Sequence, residues 1–322
     1  MTIMATKPAR HRADAAPGRS PGAGRWAGRR AQDTLTAYRF LSLPLLLFLV
    51  FLALPLVCTV ILSFFQWDTF SSPKFIGLDN YRAMLHDPNV GQAFLNTMVF
   101  TVATTVLHLV LALVLALAVN RAVSPVLRYF LRTAYFFPLL VSAGAGALVW
   151  MYMVDPSFGF VDHYLGRLGA DHPPNWLLDS STALWVMVAF DLWHTIGFTF
   201  VIVLAGLQSI PPTLYEAARV DGAGTWRQFR SVTVPMLSPS LLFASITAFT
   251  GAFQIFDPMY IMTQGGPGNR TLSVVEEIYN SAFRDFKIGY GSSIAVAVAV
   301  VIVLLSLLQL FLSRYWVNYD RV

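Results

Sequence analysis

Two sets of polar side chains interrupt stretches that are otherwise apolar. Asp191 and His194 are three residues apart, flanking Trp193, in a run from about 182 to 207. Gln254, Asp257 and Tyr260 are again spaced by three, with Phe253 and Phe256 beside them, in a run from about 239 to 263. Residues three apart share a helix face. Carboxylate, imidazole, amide and phenol next to aromatic rings have the chemistry to hold a polyhydroxylated solute. Rings cover its C–H surfaces, and the polar groups bond its hydroxyls. Asp191 and His194 also have a purely structural alternative, in which they pair with each other. Asp257 lies towards one end of its run and equally suits an interface. Pro258 is expected to disrupt the helix there and free a backbone carbonyl.

Catalytic patterns are missing. There is no GxxxxGK[ST], so ATP is not held by that route. Neither HExxH nor a paired CxxC occurs, which argues against a metal site. His108, His194 and Asp191 form no persuasive acid, base or metal constellation, and no nucleophile motif is present. The expectation is a chain that is not an enzyme and holds no cofactor of its own.

The elements that carry these residues follow from composition. Of 322 residues, 56% are hydrophobic and 12% charged, where a soluble domain has about 25% charged. Apolar runs cover about 40–65, 94–119, 130–154, 182–207, 239–263 and 289–313. Each is long enough to cross a hydrocarbon core of ~30 Å. The fold class expected is all-α, a polytopic membrane protein of six spanning helices over residues 40–322. Residues 1–39, rich in Arg, Ala, Gly and Pro, read as a disordered basic tail. Sixteen Lys and Arg fall on the side holding that tail, the loop with Arg121, Arg128 and Arg132, the stretch with Arg219, Arg227 and Arg230, and Arg314 and Arg321. Six fall on the other side. Both termini are therefore expected in the cytoplasm. Helical spacing in 75–88 and 272–286 predicts short helices at the outer side, and Gly265-Gly266-Pro267-Gly268 predicts a turn.

EAARVDGAGTWRQFRSVTVP, residues 216 to 235, lies between the fourth and fifth runs. Thr213 and Glu216 have the spacing of a capping box. A short helix is expected over about 214–221, ended by Gly222 in a left-handed conformation. Ala217 and Ala218 keep one face thin. A second helix is expected over about 224–232, presenting Trp226, Phe229 and Arg230 until Pro235 breaks it. The result is a rigid cytoplasmic bracket too short to form a core. It either braces the two spans or docks a partner.

This stretch resembles the EAA loop of permease subunits in bacterial ABC importers. Glu216, Ala217, Ala218, Gly222 and Pro235 fall on the family pattern, as do Asp221 and Ala223; Val232 and Val234 stand where Ile and Leu are usual. FIGLDNYRAMLHDP followed by Asn96-Thr97, and MTQGGPGNRT at 262–271, resemble the sugar and glycerol-phosphate branch. The resemblance covers all but the tail. It implies the type I importer fold in a bacterial inner membrane. It also implies a second permease, two ATP-binding subunits that carry ATP and Mg, and an extracytoplasmic solute-binding protein. The loop, 209–238, would be a coupling helix seated on an ATPase subunit through Glu216, Ala217, Ala218, Asp221, Gly222 and Trp226. Alternating access would carry a carbohydrate or polyol past Gln254, Asp257, Tyr260, Asp191 and His194. Glycerol 3-phosphate or its diesters are the alternative solutes, and an ion-coupled secondary transporter or a membrane-embedded enzyme the rival classes. Lipid is the expected surround, and nucleic acid is not an expected partner.

Overall fold

The computed structural model describes residues 38–121, 124–169 and 174–318. The segment expected as a tail lies outside the described residues, apart from Tyr38 and Arg39. The chain divides into two units, Met1–Cys58 and Thr59–Val322.

The first unit contributes most of helix α1, Tyr38–Leu62. Its side chains are apolar and almost all exposed, as lipid-facing residues should be. A π-turn at Leu49–Ala53 interrupts the α-helical ladder, with Leu54 N–H donating to Leu49 O. Pro55 follows directly and has no N–H to donate. The wider turn lets the helix run through it.

The second unit begins with a small antiparallel hairpin, β1 (Phe65–Gln66) and β2 (Lys74–Phe75). Short helix α2, Asp79–His86, follows, and then α3, Pro88–Arg121. After that come α4 (Pro125–Phe136), α5 (Ala143–Met153) and α6 (Phe160–Arg167). Helix α7 spans Ala183–Gln208, and α8 spans Pro212–Val220. The short α9, Thr225–Gln228, passes through a π-turn at Phe229–Thr233 into α10, Val234–Phe253. Helices α11 (Asp257–Met262), α12 (Val274–Tyr279) and α13 (Ile288–Ser313) complete the order.

Among the described residues, five helices are long and apolar enough to cross a membrane. The third expected span is not one straight rod. The stretch Tyr129–Leu140 and α5 are bent by 99° about Val141 and Ser142. Pro138 lies in a 3₁₀ turn at Phe137–Leu140 just before the bend. Its missing N–H removes one rung, and the following Ser-Ala-Gly-Ala-Gly is too slender to hold the axis.

The core sits where α3, α7 and α10 meet. Ala112 and Ala116 of α3 are buried with Phe200 and Val203 of α7 and Ala244 of α10. Small residues set the approach. A Cβ at Gly197 would collide with the Tyr135 carbonyl, and one at Gly206 would collide with Ser240. Helix α13 joins through Ile294 and Val298 against Phe249 and Phe253, and its other face, with Leu304, Leu307 and Leu308, is exposed. Both expected short helices form. Helix α12 is not superficial, however: Val274 and Glu276 are buried, and its contacts are with α3 and α13.

Candidate functional sites: a polar cavity and a bracket

The cavity lies between α3, the 3₁₀ turn, α7 and α10, and has a volume of about 240 Å3. Its polar lining comes from Thr104, His108, Asp191, Thr195, Thr199 and Thr247, with Gly251 at one edge. His108 is the hub. Its Nε2 is 3.3 Å from Asp191 Oδ2 and 3.3 Å from Thr195 Oγ1, and its Nδ1 is 3.3 Å from Thr199 Oγ1. Thr195 donates to Asp191 O at 3.0 Å. Thr97, Thr101, Thr104, Thr105 and His108 form a buried polar stripe along α3. Thr101 Oγ1 and Thr105 Oγ1 have no partner among the described residues.

The structural alternative, in which Asp191 pairs with His194, does not occur. Asp191 turns to His108, whereas His194 Nε2 lies 2.9 Å from Val141 O, a carbonyl at the break in the third span. The His194 ring stacks on Phe190 at 5.5 Å and 11°. A carbonyl freed by a bend needs a donor where water is scarce, and His194 reaches it. His194 is not among the residues that line this cavity. The place of His108 in this cavity is not legible in the sequence, because a lone histidine in an apolar helix carries no pattern of its own. The threonines at three- and four-residue spacing before it are the available signal.

Gln254, Asp257 and Tyr260 are not brought to the cavity. Helix α10 ends at Phe253, Gln254 follows it, and Asp257 opens α11. Gln254 and Asp257 are exposed. Tyr260 stacks on Phe256 at 5.2 Å and meets Tyr279 edge-on at 5.2 Å. Pro258 lies within the first turn of α11, where its fixed φ and missing N–H suit a helix start. The break thus falls ahead of Pro258, not at it.

The two remaining motif segments meet at the end of the bundle opposite the bracket. Asn96 Nδ2 donates to Asn269 O at 2.6 Å and Leu272 O at 3.0 Å. Thr97 Oγ1 accepts from Val274 N–H at 2.9 Å. Ser273 caps α12 by accepting from Glu276 N–H at 3.1 Å. Glu276 is 1% exposed, and its Oε2 has no partner among the described residues. Burial, and to a lesser degree the neighbouring Glu277, pushes its carboxyl up to about 7; the Ser273 hydrogen bond and Arg284 oppose this only in part. Burial likewise raises Glu277.

The bracket is α8 to the π-turn. Its first helix starts at Pro212, with Pro211 at the N-cap and no side-chain cap. The expected capping box is therefore absent. Pro212 suits the first helical position and starts the helix ahead of Thr213, so Thr213 falls inside the first turn. Glu216 is exposed and free of capping duty. The other end is as expected. Gly222 has φ +75°, Ala223 N–H donates to Ala218 O at 2.9 Å, and Gly222 N–H donates to Arg219 O at 3.0 Å. This is the paired Schellman arrangement.

Pro235 does not break the second helix. Val234 N–H donates to Phe229 O across the π-turn, as Leu54 does before Pro55, and the helix continues into α10. Tyr215 Oη lies 3.0 Å from Thr233 Oγ1, tying α8 to this turn. Leu207, Ile210 and Leu237 are buried beneath. Trp226 stacks on Phe229 at 5.5 Å and is 72% exposed. Ala217, Asp221 and Gly222 are exposed and Ala218 half-buried. The bracket thus presents a bare face with an indole on it.

Residues 108–317 match the family described as binding-protein-dependent transport system inner membrane component. The chain is 36% identical over 281 residues to the probable ABC transporter permease protein YurN of Bacillus subtilis (strain 168), covering 87% of this chain and 96% of that one. It is 34% identical over 275 residues to the trehalose/maltose transport system permease protein MalF of Thermococcus litoralis, covering 85% and 92%. Among solved structures it is similar to a bacterial ABC transporter involved in the import of the acidic polysaccharide alginate. The TM-score is 0.79 at 21% identity, over 91% of this chain and 99% of that one. The chain belongs to the inner-membrane permease family of binding-protein-dependent ABC transporters.

Proposed function

We propose that this chain is one permease half of an ATP-driven importer, and that its solute is a neutral carbohydrate or polyol. The observation that carries the solute class is the cavity. Its lining offers hydroxyls, an imidazole and a carboxylate, and no Lys or Arg. Hydroxyls can exchange bonds with such a set one for one. A phosphate ester would need a cationic group, so glycerol 3-phosphate fits less well. The trehalose/maltose and starch-product permeases among its relatives support the same class.

On this reading, the bracket is the coupling element. Trp226, Ala217 and the Gly222 turn seat on an ATPase subunit, with Glu216 and Asp221 at the rim. ATP closes two such subunits and moves two brackets, one on each permease. The spans joined to them re-pack, opening the cavity to one side at a time. The bracket and both termini face the cytoplasm, and the segment around Asn96 and Leu272 faces the solute-binding protein. Asp191 contacts the solute directly, His194 holds the wall, and Gln254, Asp257 and Tyr260 line the outer approach. ATP-dependent uptake of a panel of labelled mono- and oligosaccharides into proteoliposomes holding the assembled complex tests this. Uptake requiring both ATP and the binding protein is expected. Uptake by this chain alone, or uptake driven by an ion gradient, would overturn it.

A further inference from the structure

The joint between the bracket and α10 is weak by its own hydrogen bonding. The π-turn widens the helix at Phe229–Thr233. Pro235 and Pro239 then sit four residues apart in the opening turns. Pro239 has no N–H to donate to Pro235 O, so the rung between them is lost. Any force the bracket delivers to the span must pass through this stretch.

A neighbouring hydroxyl repairs it. Ser238 Oγ donates to Pro235 O at 2.6 Å, and the same oxygen accepts from Asn318 N–H at 3.0 Å. One hydroxyl donates once and accepts once, within its capacity. Ser238 is 1% exposed, so solvent is not at hand to replace either bond. The chain is shaped to deliver Asn318. After α13 it turns, with Val317 N–H donating to Ser313 O at 2.8 Å. Ser313 is also buried, and Val317 is 9% exposed. Arg314 lies over the Phe311 ring at 3.7 Å and the Tyr315 ring at 4.7 Å on the outside of this turn. On the bracket side, Tyr215 grips Thr233. A run of side-chain hydrogen bonds thus flanks the joint from both directions.

We propose that Ser313–Asn318 is a brace that stiffens the joint between the bracket and the fifth span, and that Ser238 is the positioning residue through which it acts. The proposal rests on the coupling reading of the bracket. Without the brace, the bracket still docks and the ATPase still turns over, but its movement is absorbed at the prolines and less of it reaches the cavity.

The test follows movement at the cavity. In the assembled complex, with Cys58 replaced by serine, Thr247→Cys in the cavity wall reports access to a membrane-impermeant maleimide. Labelling is compared with and without MgATP and vanadate. Two independent changes are made: Ser238→Ala, and a chain ending at Trp316. Ser238→Ala leaves the buried Pro235 O without its donor, and the chain ending at Trp316 removes the Asn318 N–H that fixes the Ser238 hydroxyl; either loss is enough to shift a two-state joint about tenfold. The nucleotide effect on labelling should therefore fall at least about fivefold in both variants, while ATP hydrolysis stays within about twofold of the parent. A nucleotide effect that persists in both variants would overturn the brace. So would labelling and hydrolysis that fall in proportion, since that marks lost assembly. A parent complex in which nucleotide never changes labelling is a different failure, of the coupling reading itself.

Discussion

Glu276→Gln is predicted to stabilise the segment that joins α11 to α13, and only above a defined pH. The side chain is buried, with one carboxylate oxygen unpartnered among the described residues, and its pKa rises from 4.5 to about 7. Each pKa unit is 1.36 kcal/mol, so the ionised carboxylate destabilises the folded segment by up to about 3 kcal/mol. The sign follows from linkage. The folded-state value lies above the unfolded one, so the folded segment is favoured by proton binding. Stability is fully present below pH 4.5, is lost as pH rises towards about 7, and is level above that. The substituted amide carries no charge at any pH, so the variant should match the parent near pH 4.5 and exceed it above pH 7. Amide hydrogen exchange over residues 272–284, in detergent at pH 5, 6, 7 and 8, separates local from global opening after correction for intrinsic rates. The parent's opening free energy should fall across that series by an amount approaching the figure above, and the variant's should not. Equal pH dependence in both, or a variant that opens more readily at pH 8, would refute the reasoning.

Other consequences follow from named contacts. Trp226→Ala should weaken association with the ATPase subunit about thirtyfold, the value of a 2 kcal/mol hot spot, while leaving the thermal stability of the isolated permease unchanged. Co-purification in a salt series and scanning fluorimetry measure the two. His194→Leu should cost about 1–3 kcal/mol by leaving Val141 O unbonded at the bend, whereas His194→Gln should recover part of it; thermal unfolding in detergent compares them. Gly197→Ala should destabilise by about 1–3 kcal/mol, since its methyl meets the Tyr135 backbone, which cannot rotate away.

Much of the architecture is legible in the chain because lipid imposes length and composition. The positions of five spans, the two short helices at 79–86 and 274–279 and the left-handed Gly222 all follow from local rules. The departures arise where a local rule has a tertiary competitor. Thr213 and Glu216 have capping-box spacing, but Pro212 is a better first helical residue and displaces them. Pro235 reads as a break, yet a π-turn ahead of it absorbs the missing donor, as another does ahead of Pro55. Three-residue spacing places Asp191 and His194 on one face, but it cannot say that His108 and Val141 O face them from other helices. Those partners lie 83 and 53 positions away in sequence, and only packing reveals them. For the same reason, Ser238 looks like an ordinary small residue until Asn318 is seen to fold back onto it.

If a separate motor grips this permease at the bracket, 212–233, then Ala217 on its exposed face must lie against that motor. Ala217→Cys in a chain with Cys58 replaced by serine, labelled with a maleimide that carries a benzophenone and photoactivated in the assembled complex, reads that contact without needing a second thiol. A single crosslinked product containing the ATPase subunit is expected, with the crosslink abolishing ATP-dependent uptake. A product linking Ala217→Cys only to the membrane-embedded chains, or uptake undiminished by a complete crosslink to the ATPase, would contradict it.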